Sequence, residues 1–257
     1  MANINIMNWT ESDGRNPIVL FNNLLTDSTP SVSEAESALT ESTYDAWNFD
    51  LDQTVTFDLG AAREFNSFAI VGGRGTGDVT LRTSTDNSTF TNITPTAIPT
   101  PTNDCTLFLF NQRNVRYFRV RFIGSGPASV RSLWLSKAFE FPGGVGYGYT
   151  PPWMAQEKEL LVSKTLNGQF VGNRVVSKGA MTTIPMIAEE RTFVEDDLQP
   201  FMQHYNDGRP FIWAAGPTVF TKDTAYVWRQ QNSEMKPTFD QSGNWMSFSM
   251  AVEGYVT

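Results

Sequence analysis

Two aromatic residues stand among small polar side chains early in the chain, in a pattern suited to binding a sugar. They are Tyr44 and Trp47, within residues 43–50 (TYDAWNFD). An aromatic ring can stack on a sugar ring while neighbouring polar groups hydrogen-bond the sugar hydroxyls. We interpret this segment as a loop and both aromatics as candidate sugar contacts. The remaining tryptophans mostly fall in strand-like runs and are expected in the core.

A glycine-rich segment at residues 71–77 (VGGRGTG) contains one strong hydrogen-bond donor, Arg74. A phosphate-binding loop needs a helix after it, because the helix N-terminus holds the phosphate. Here Asp78 opens another strand-like run, so we interpret the segment as a connecting loop. Arg74 joins the two aromatics as a candidate ligand-binding residue.

Eight carboxylates and no lysine or arginine lie between residues 27 and 58. Calcium binds carboxylate and backbone oxygens, which makes Asp27 a candidate calcium ligand. The carboxylates lack the regular spacing of a calcium loop, so the pattern favours a solvated acidic surface. Five arginines later in the same half could pair with them, within the domain or across a subunit interface: Arg113, Arg116, Arg119, Arg121 and Arg131.

The composition argues against several classes of protein. Cys105 and His204 are the single cysteine and the single histidine, so one chain forms neither an internal disulfide nor a Cys/His zinc cluster. His204 has no serine or cysteine nucleophile in a recognisable setting, and we expect a hydrogen-bonded or surface residue. We predict a protein that is not an enzyme. The net charge of −8 argues against nucleic acid, which requires clustered basic side chains.

Short alternating strands must position these candidate residues. The clearest is residues 117–122 (YFRVRF), which places Phe118, Val120 and Phe122 on one face. Similar runs occur at 53–59, 66–71, 78–84 and 130–135, with turn residues between them. Strands at this spacing, without amphipathic helices between them, predict an antiparallel β-sandwich.

A glycine- and proline-rich segment divides the chain. Residues 141–152 contain four glycines and three prolines, which neither a strand nor a helix interior tolerates well. We predict a β-sandwich over residues 1–138, a linker over 139–155 and a second β-rich domain over 156–257. One short helix is expected near residues 197–206, where apolar side chains recur at helical spacing.

An ordered set of segments in the first half carries a family resemblance. The segments are Leu25-Thr26-Asp27, the loop ending in Trp47, 53–60 (QTVTFDLG), 68–71 (FAIV), 81–90 (LRTSTDNSTF) and 116–122 (RYFRVRF). With them the first half resembles the discoidin, or coagulation-factor type C, family. The resemblance covers residues 15–138 and implies a galactose-binding-like jelly-roll sandwich, with loops at one end that often bind sugars or lipid headgroups. The cysteine pair of extracellular members is absent, and Phe90 stands where tryptophan is common.

Three aromatic segments follow the expected helix in the second half: 209–214 (RPFIWA), 226–229 (YVWR) and 245–255 (WMSFSMAVEGY). In this order the second half is similar to the β-rich proteins of bacteriophage tails and baseplates, in which a hydrophobic segment after a short helix precedes strands that assemble into rings. The similarity implies a homo-oligomer that also contacts other tail proteins. The first residues lack the basic start and apolar run of a signal peptide, and no run approaches a membrane span. We therefore expect a virion tail protein made in the host bacterial cytoplasm.

Three hypotheses about function follow from these patterns. The leading hypothesis is a non-enzymatic structural component of a phage tail tip or baseplate, which assembles through the second domain and displays the first. The alternative is a carbohydrate-binding protein or adhesin that binds a cell-surface glycan through the loops of the first domain. A glycosidase or lyase that uses a carboxylate pair is a third hypothesis, for which no particular pair stands out.

Overall fold

The structure, a computed structural model, describes residues 3–10, 13–94, 96–99 and 105–255. Strands dominate these residues, which confirms the all-β class. The first twelve strands are β1 (Asn3–Met7), β2 (Ile18–Leu20), β3 (Thr29–Pro30), β4 (Trp47–Asp50), β5 (Thr54–Val71), β6 (Asp78–Ser84), β7 (Thr91–Asn92), β8 (Ile98–Pro99), β9 (Cys105–Ile123), β10 (Pro127–Val130), β11 (Ser132–Ser136) and β12 (Phe139–Glu140). A 3-10 helix spans Ser33–Ala38.

The remaining elements lie in the second half. They are β13 (Gln156–Lys164), β14 (Phe170–Glu190), α1 (Arg191–Asp196), α2 (Gln199–Asn206), β15 (Phe211–Ala214), β16 (Thr224–Arg229), β17 (Thr238–Phe239) and β18 (Trp245–Gly254).

The first sheet is built around the long antiparallel pair β5 and β9. Its strand order is β11-β5-β9-β6-β7, with β1, β3 and β8 beside β9, β5 and β6. The predicted alternation is confirmed, since Phe118, Val120 and Phe122 are buried while Arg119 and Arg121 between them are not. The strands pair antiparallel except β1, which runs parallel to β9.

A small second layer closes the sandwich over this sheet. Strands β4 and β10 pair antiparallel and, with the 3-10 helix, cover a core that contains Phe57, Phe118 and Leu81. The other face of residues 68–71 is covered too, by a separate core. In the first part of β5, buried residues alternate with residues that are not buried. Residues 65–71 are all buried, because this part of the strand is covered on both faces.

The second large sheet has the strand order β12-β2-β15-β16-β18-β14-β13, with β17 beside β18. The predicted helix corresponds to α2, whose Phe201 and Tyr205 pack into this half's core. A second short helix, α1, precedes it. Pro200 lies in the first turn of α2, where its missing N–H costs no hydrogen bond, so the chain begins a new helix there. Among the described residues, no helix has the length and apolar character needed to cross a membrane.

The structure differs from the predicted division of the chain at one strand and in the segment called a linker. Strand β2 belongs by sequence to the first 138 residues, yet it pairs with β15 of the second sheet. Phe141, within the 139–155 segment, is fully buried against the second core. A third core joins the two sheets and includes Trp134, Ile212 and Tyr226. Short-range pattern does not reveal such pairing, because the partners are about two hundred positions apart.

Candidate ligand-binding surfaces

The loops of residues 41–46 and 72–77 both contact strand β10 or the residue that follows it, Arg131, and we call these two loops with residues 129–131 the loop end. The backbone of Arg74 exchanges two hydrogen bonds with Ser129, with N···O distances of 2.8 and 2.9 Å. Ser129 in turn lies opposite Asn48 across the β4–β10 pair. The guanidinium of Arg131 donates to the carbonyl oxygen of Tyr44. The structure therefore brings Tyr44 and Arg74 to the same end of the molecule.

Tyr44 presents its side chain to solvent, with 88% of its surface exposed. Arg74 is exposed as well, and the loop that carries it connects β5 to β6 without a helix, as predicted. Gly75 has φ +62°, and a Cβ there would lie 2.9 Å from the carbonyl oxygen of Pro127. Glycine is thus required for the close approach that holds the Arg74 loop against β10.

The expectation that Trp47 lies in a loop and offers a ring to a sugar is wrong. Trp47 begins β4, retains 2% exposure and stacks on Phe49 with ring centroids 4.2 Å apart. The ring also meets Phe122 edge-on. The polar neighbours in the sequence misled the interpretation, because they occupy the alternate, outward positions of a strand. Two other tryptophans expected in the core, Trp153 and Trp245, are 37% and 41% exposed.

Two of the carboxylates between residues 27 and 58 form ion pairs with arginines of the first half. Arg116 contacts Asp58 through two hydrogen bonds of 2.7 Å, and this pairing lowers the pKa of the Asp58 carboxyl. Arg121 pairs with Asp52 at 2.6 Å. Asp27 is exposed, and the described residues contain no group of three acidic, histidine or cysteine side chains able to hold a metal ion. Calcium binding at Asp27 stays a prediction.

The outward side of strands β5, β6 and β9 carries a cluster of arginines and threonines that the sequence did not predict. We call it the arginine face. It lines a cavity of about 220 Å³ that is open to solvent. The alternation along each strand places these arginines on the outward side, but which strands adjoin, and in which register, depends on the tertiary fold. The lining residues are Thr54, Thr80, Arg82, Arg119 and Arg121.

A larger cleft of about 600 Å³ lies in the second half, beside the base of the β13–β14 hairpin. Trp228 and Tyr255 line it, and the indole nitrogen of Trp228 donates to Glu253 at 3.3 Å. The hydroxyl of Tyr255 approaches Gly72, where an added Cβ would meet it at 3.1 Å. The cleft therefore adjoins the loop end.

Two buried carboxyl groups lie elsewhere in the second half. Burial raises the pKa of Glu189 to about 7, although the backbone N–H of Gly143 donates to it at 3.0 Å. Burial likewise raises the pKa of Asp223 to about 6, and the Tyr149 hydroxyl donates to it at 2.8 Å. Each group has one carboxylate oxygen without a hydrogen-bond partner among the described residues. Such groups exchange protons near neutral pH.

His204 is buried, and its Nε2 lies 2.8 Å from the carbonyl oxygen of Pro210. Burial lowers the pKa of its imidazole. This is the hydrogen-bonded residue that the sequence analysis expected.

The hairpin of β13 and β14 extends away from the second sheet, and we call residues 156–177 the hairpin arm. Every residue of β13 is exposed. The large apolar side chains that the arm exposes are Leu160, Leu161, Val162, Leu166, Phe170, Val171, Val175 and Val176.

No family model and no curated protein sequence matches this chain. Solved structures align with under half of it. A CBM32 module from a Clostridium perfringens family 31 glycoside hydrolase is 16% identical, with TM-score 0.39, covering 46% of this chain and 99% of the module. A chitosan-binding module from Paenibacillus sp. IK-5 is 17% identical, with TM-score 0.38, covering 44% and 98%. The CBM32 of AlyQ, solved with 4,5-unsaturated mannuronic acid, is 18% identical, with TM-score 0.38, covering 45% and 96%.

Proposed function

We propose that this protein is a non-catalytic carbohydrate-binding protein that holds a glycan at the loop end of its sandwich. The observation that carries the proposal is the open tyrosine ring of Tyr44, 88% exposed, on the same end as the exposed Arg74. An exposed aromatic ring near a hydrogen-bond donor offers a stacking platform for a sugar.

The surrounding contacts fix the backbone that carries both side chains. Arg131 binds the backbone of Tyr44, and the Arg74 backbone pairs with Ser129. In the proposed complex the Tyr44 ring stacks on a pyranose and the Arg74 guanidinium donates to its hydroxyls. A site with one ring and one strong donor binds a monosaccharide weakly, with a Kd on the order of 1 mM.

Glycan-array binding followed by titration calorimetry tests this proposal. Tyr44→Ala and Arg74→Gln should each weaken binding of the selected glycan by about tenfold or more. The matched control is Tyr147→Ala, because Tyr147 is also fully exposed but lies outside the loop end. Binding that is lost equally in the control, or retained in both loop-end variants, contradicts the proposal.

A second candidate function, self-assembly, is favoured by the hairpin arm. A two-stranded hairpin is marginal in water by itself, and this one exposes eight large apolar side chains. Clustered exposed apolar side chains of this kind are typical of protein–protein interfaces. We propose that the arm packs against a second copy of this chain. A structural role in a phage tail tip or baseplate is the specific form of this function.

Light scattering coupled to size exclusion tests assembly. The protein should form oligomers that Leu161→Glu with Val171→Glu converts to monomers, because buried carboxylates oppose the interface. The control is Val219→Glu, an exposed apolar residue outside the arm. A wild-type chain that stays monomeric at every concentration argues against assembly, and its absence from imaged tail particles argues against the virion role.

A further inference from the structure

The arginine face has a charge arrangement that lacks internal compensation. Arg82 lies directly opposite Arg119 across the β6–β9 pair, and Thr80 lies opposite Arg121. Like charges directly opposite each other on a sheet destabilise it. Among the described ion pairs, only Arg121 of the three arginines has a carboxylate partner, Asp52. Two positive charges therefore face one cavity without a counterion from the described residues.

Two hydrogen-bonding atoms at this cavity are buried and have no partner within the described part of the chain. They are the hydroxyl oxygen of Thr80 and the Nε of Arg82. Buried donors without partners are rare in folded proteins because each loses its water without gaining another bond. A ligand that accepts from both groups would remove this penalty.

Arg119 is held in place at the cavity by two contacts. The Nε of Arg119 donates to the hydroxyl of Thr56 at 2.8 Å, and its guanidinium lies 3.4 Å from the ring centroid of Phe90. A guanidinium fixed by stacking and by one hydrogen bond binds an anion at a lower entropic cost than a free one.

We propose that the arginine face binds a single oxyanion group, namely a carboxylate, sulfate or phosphate of a small ligand. Guanidinium groups match the geometry of these anions and form charge-assisted hydrogen bonds with them. The cavity of about 220 Å³ holds one such group or one acidic sugar residue. An extended polyanion fits poorly with a chain of net charge −8. The site uses neither Tyr44 nor Arg74, so the result of its test does not depend on whether the proposed glycan site exists.

Nuclear magnetic resonance of the arginine Nε–Hε groups provides the direct test. The probes are sodium sulfate, galacturonate and neutral galactose, each titrated into the full chain at constant ionic strength. Sulfate or galacturonate should shift the Arg82 resonance, which is assigned by its disappearance in Arg82→Gln, whereas galactose should not. Tighter binding of galacturonate identifies an acidic sugar as the source of the anion, and equal or tighter binding of sulfate identifies a free oxyanion.

Arg82→Gln should raise the Kd for the anion at least about tenfold, while Arg15→Gln should leave it unchanged. Arg15 is a suitable control because its side chain is 76% exposed and lies beside Asp13. If neither anion shifts the Arg82 resonance, or if Arg82→Gln binds as the wild type does, the proposal is overturned.

Thr80→Val keeps the shape of the side chain and gives a second test. The variant should be more stable than the wild type without the anion and should gain less stability from it. Without ligand, the variant should melt at a higher temperature than the wild type, because a buried hydroxyl without a partner has been removed. With sulfate or galacturonate, its thermal stabilisation should be smaller than that of the wild type. A variant that melts lower without ligand, or gains as much stability from the anion, contradicts the site.

Discussion

The buried carboxyl of Glu189 makes a quantitative prediction about pH. Its side chain has no exposed surface, and burial raises its pKa from 4.5 to about 7. The folded state therefore binds this proton more tightly than the unfolded state. Between these two pKa values the folded state holds more protons, so the free energy of unfolding falls as the pH rises.

The size of the effect follows from the two pKa values. At about 1.36 kcal/mol per pKa unit, ionisation of Glu189 should lower the free energy of unfolding by about 2.5 kcal/mol between pH 5 and 8. Asp223, with a pKa raised to about 6, acts in the same direction and adds roughly 1.5 kcal/mol. The wild type should thus be most stable near the acidic end of this range.

Urea unfolding, followed by tryptophan fluorescence at pH 5, 6, 7 and 8, measures this dependence. Glu189→Gln should remove more than half of the slope, since the amide oxygen still accepts the Gly143 N–H but no proton is exchanged. The amide also places unpaired donors in the core, which lowers stability equally at every pH, so the slope is the diagnostic quantity. Glu190→Gln is the control, because Glu190 is adjacent and exposed. An unchanged slope in Glu189→Gln refutes the reasoning.

Three further substitutions have expected outcomes in the same unfolding assay. Tyr149→Phe removes a hydroxyl that accepts from Trp213 and donates to Asp223, and should cost about 2–4 kcal/mol, more at pH 8 than at pH 5 because Asp223 is then charged. Trp47→Ala should cost about 3–5 kcal/mol, the range for a buried ring; a cost near zero would mean that the ring is not in the core. Gly77→Ala should cost about 1–3 kcal/mol, because Gly77 has φ +63° and the new Cβ would clash with the Ile123 carbonyl oxygen. A fully stable alanine variant there would contradict the backbone conformation.

The all-β architecture followed from local patterns because those patterns reflect burial on one face. Phe118 and Val120 alternate with arginines, and a half-buried strand is the conformation that separates the two sets. Helix α2 was recognisable for the same reason, since Phe201 and Tyr205 recur at helical spacing. The same logic failed at Trp47, where outward polar residues of a short strand were interpreted as a loop.

The binding surfaces could be predicted only in part from the sequence. Tyr44 and Arg74 were named from residue type, and the structure brings their loops to one end through Ser129. The arginine face was missed because Arg82 and Arg119 are 37 positions apart, and their opposition depends on the register of β6 against β9. The hairpin arm lies within the predicted β-rich domain, but its apolar residues give no indication in the sequence that the rest of the fold leaves them uncovered.

By itself, the sequence determined which segments become strands, where α2 forms, and which residue types are available for binding, because these depend on neighbours along the chain. Only the tertiary structure decided that β2 joins the second sheet, that Trp47 is a core residue, and that Glu189 ionises near neutral pH. Each of these depends on contacts between distant segments, whose energies arise from strand pairing, packing and the removal of water. Residue type limits those contacts, but the folded arrangement selects among them.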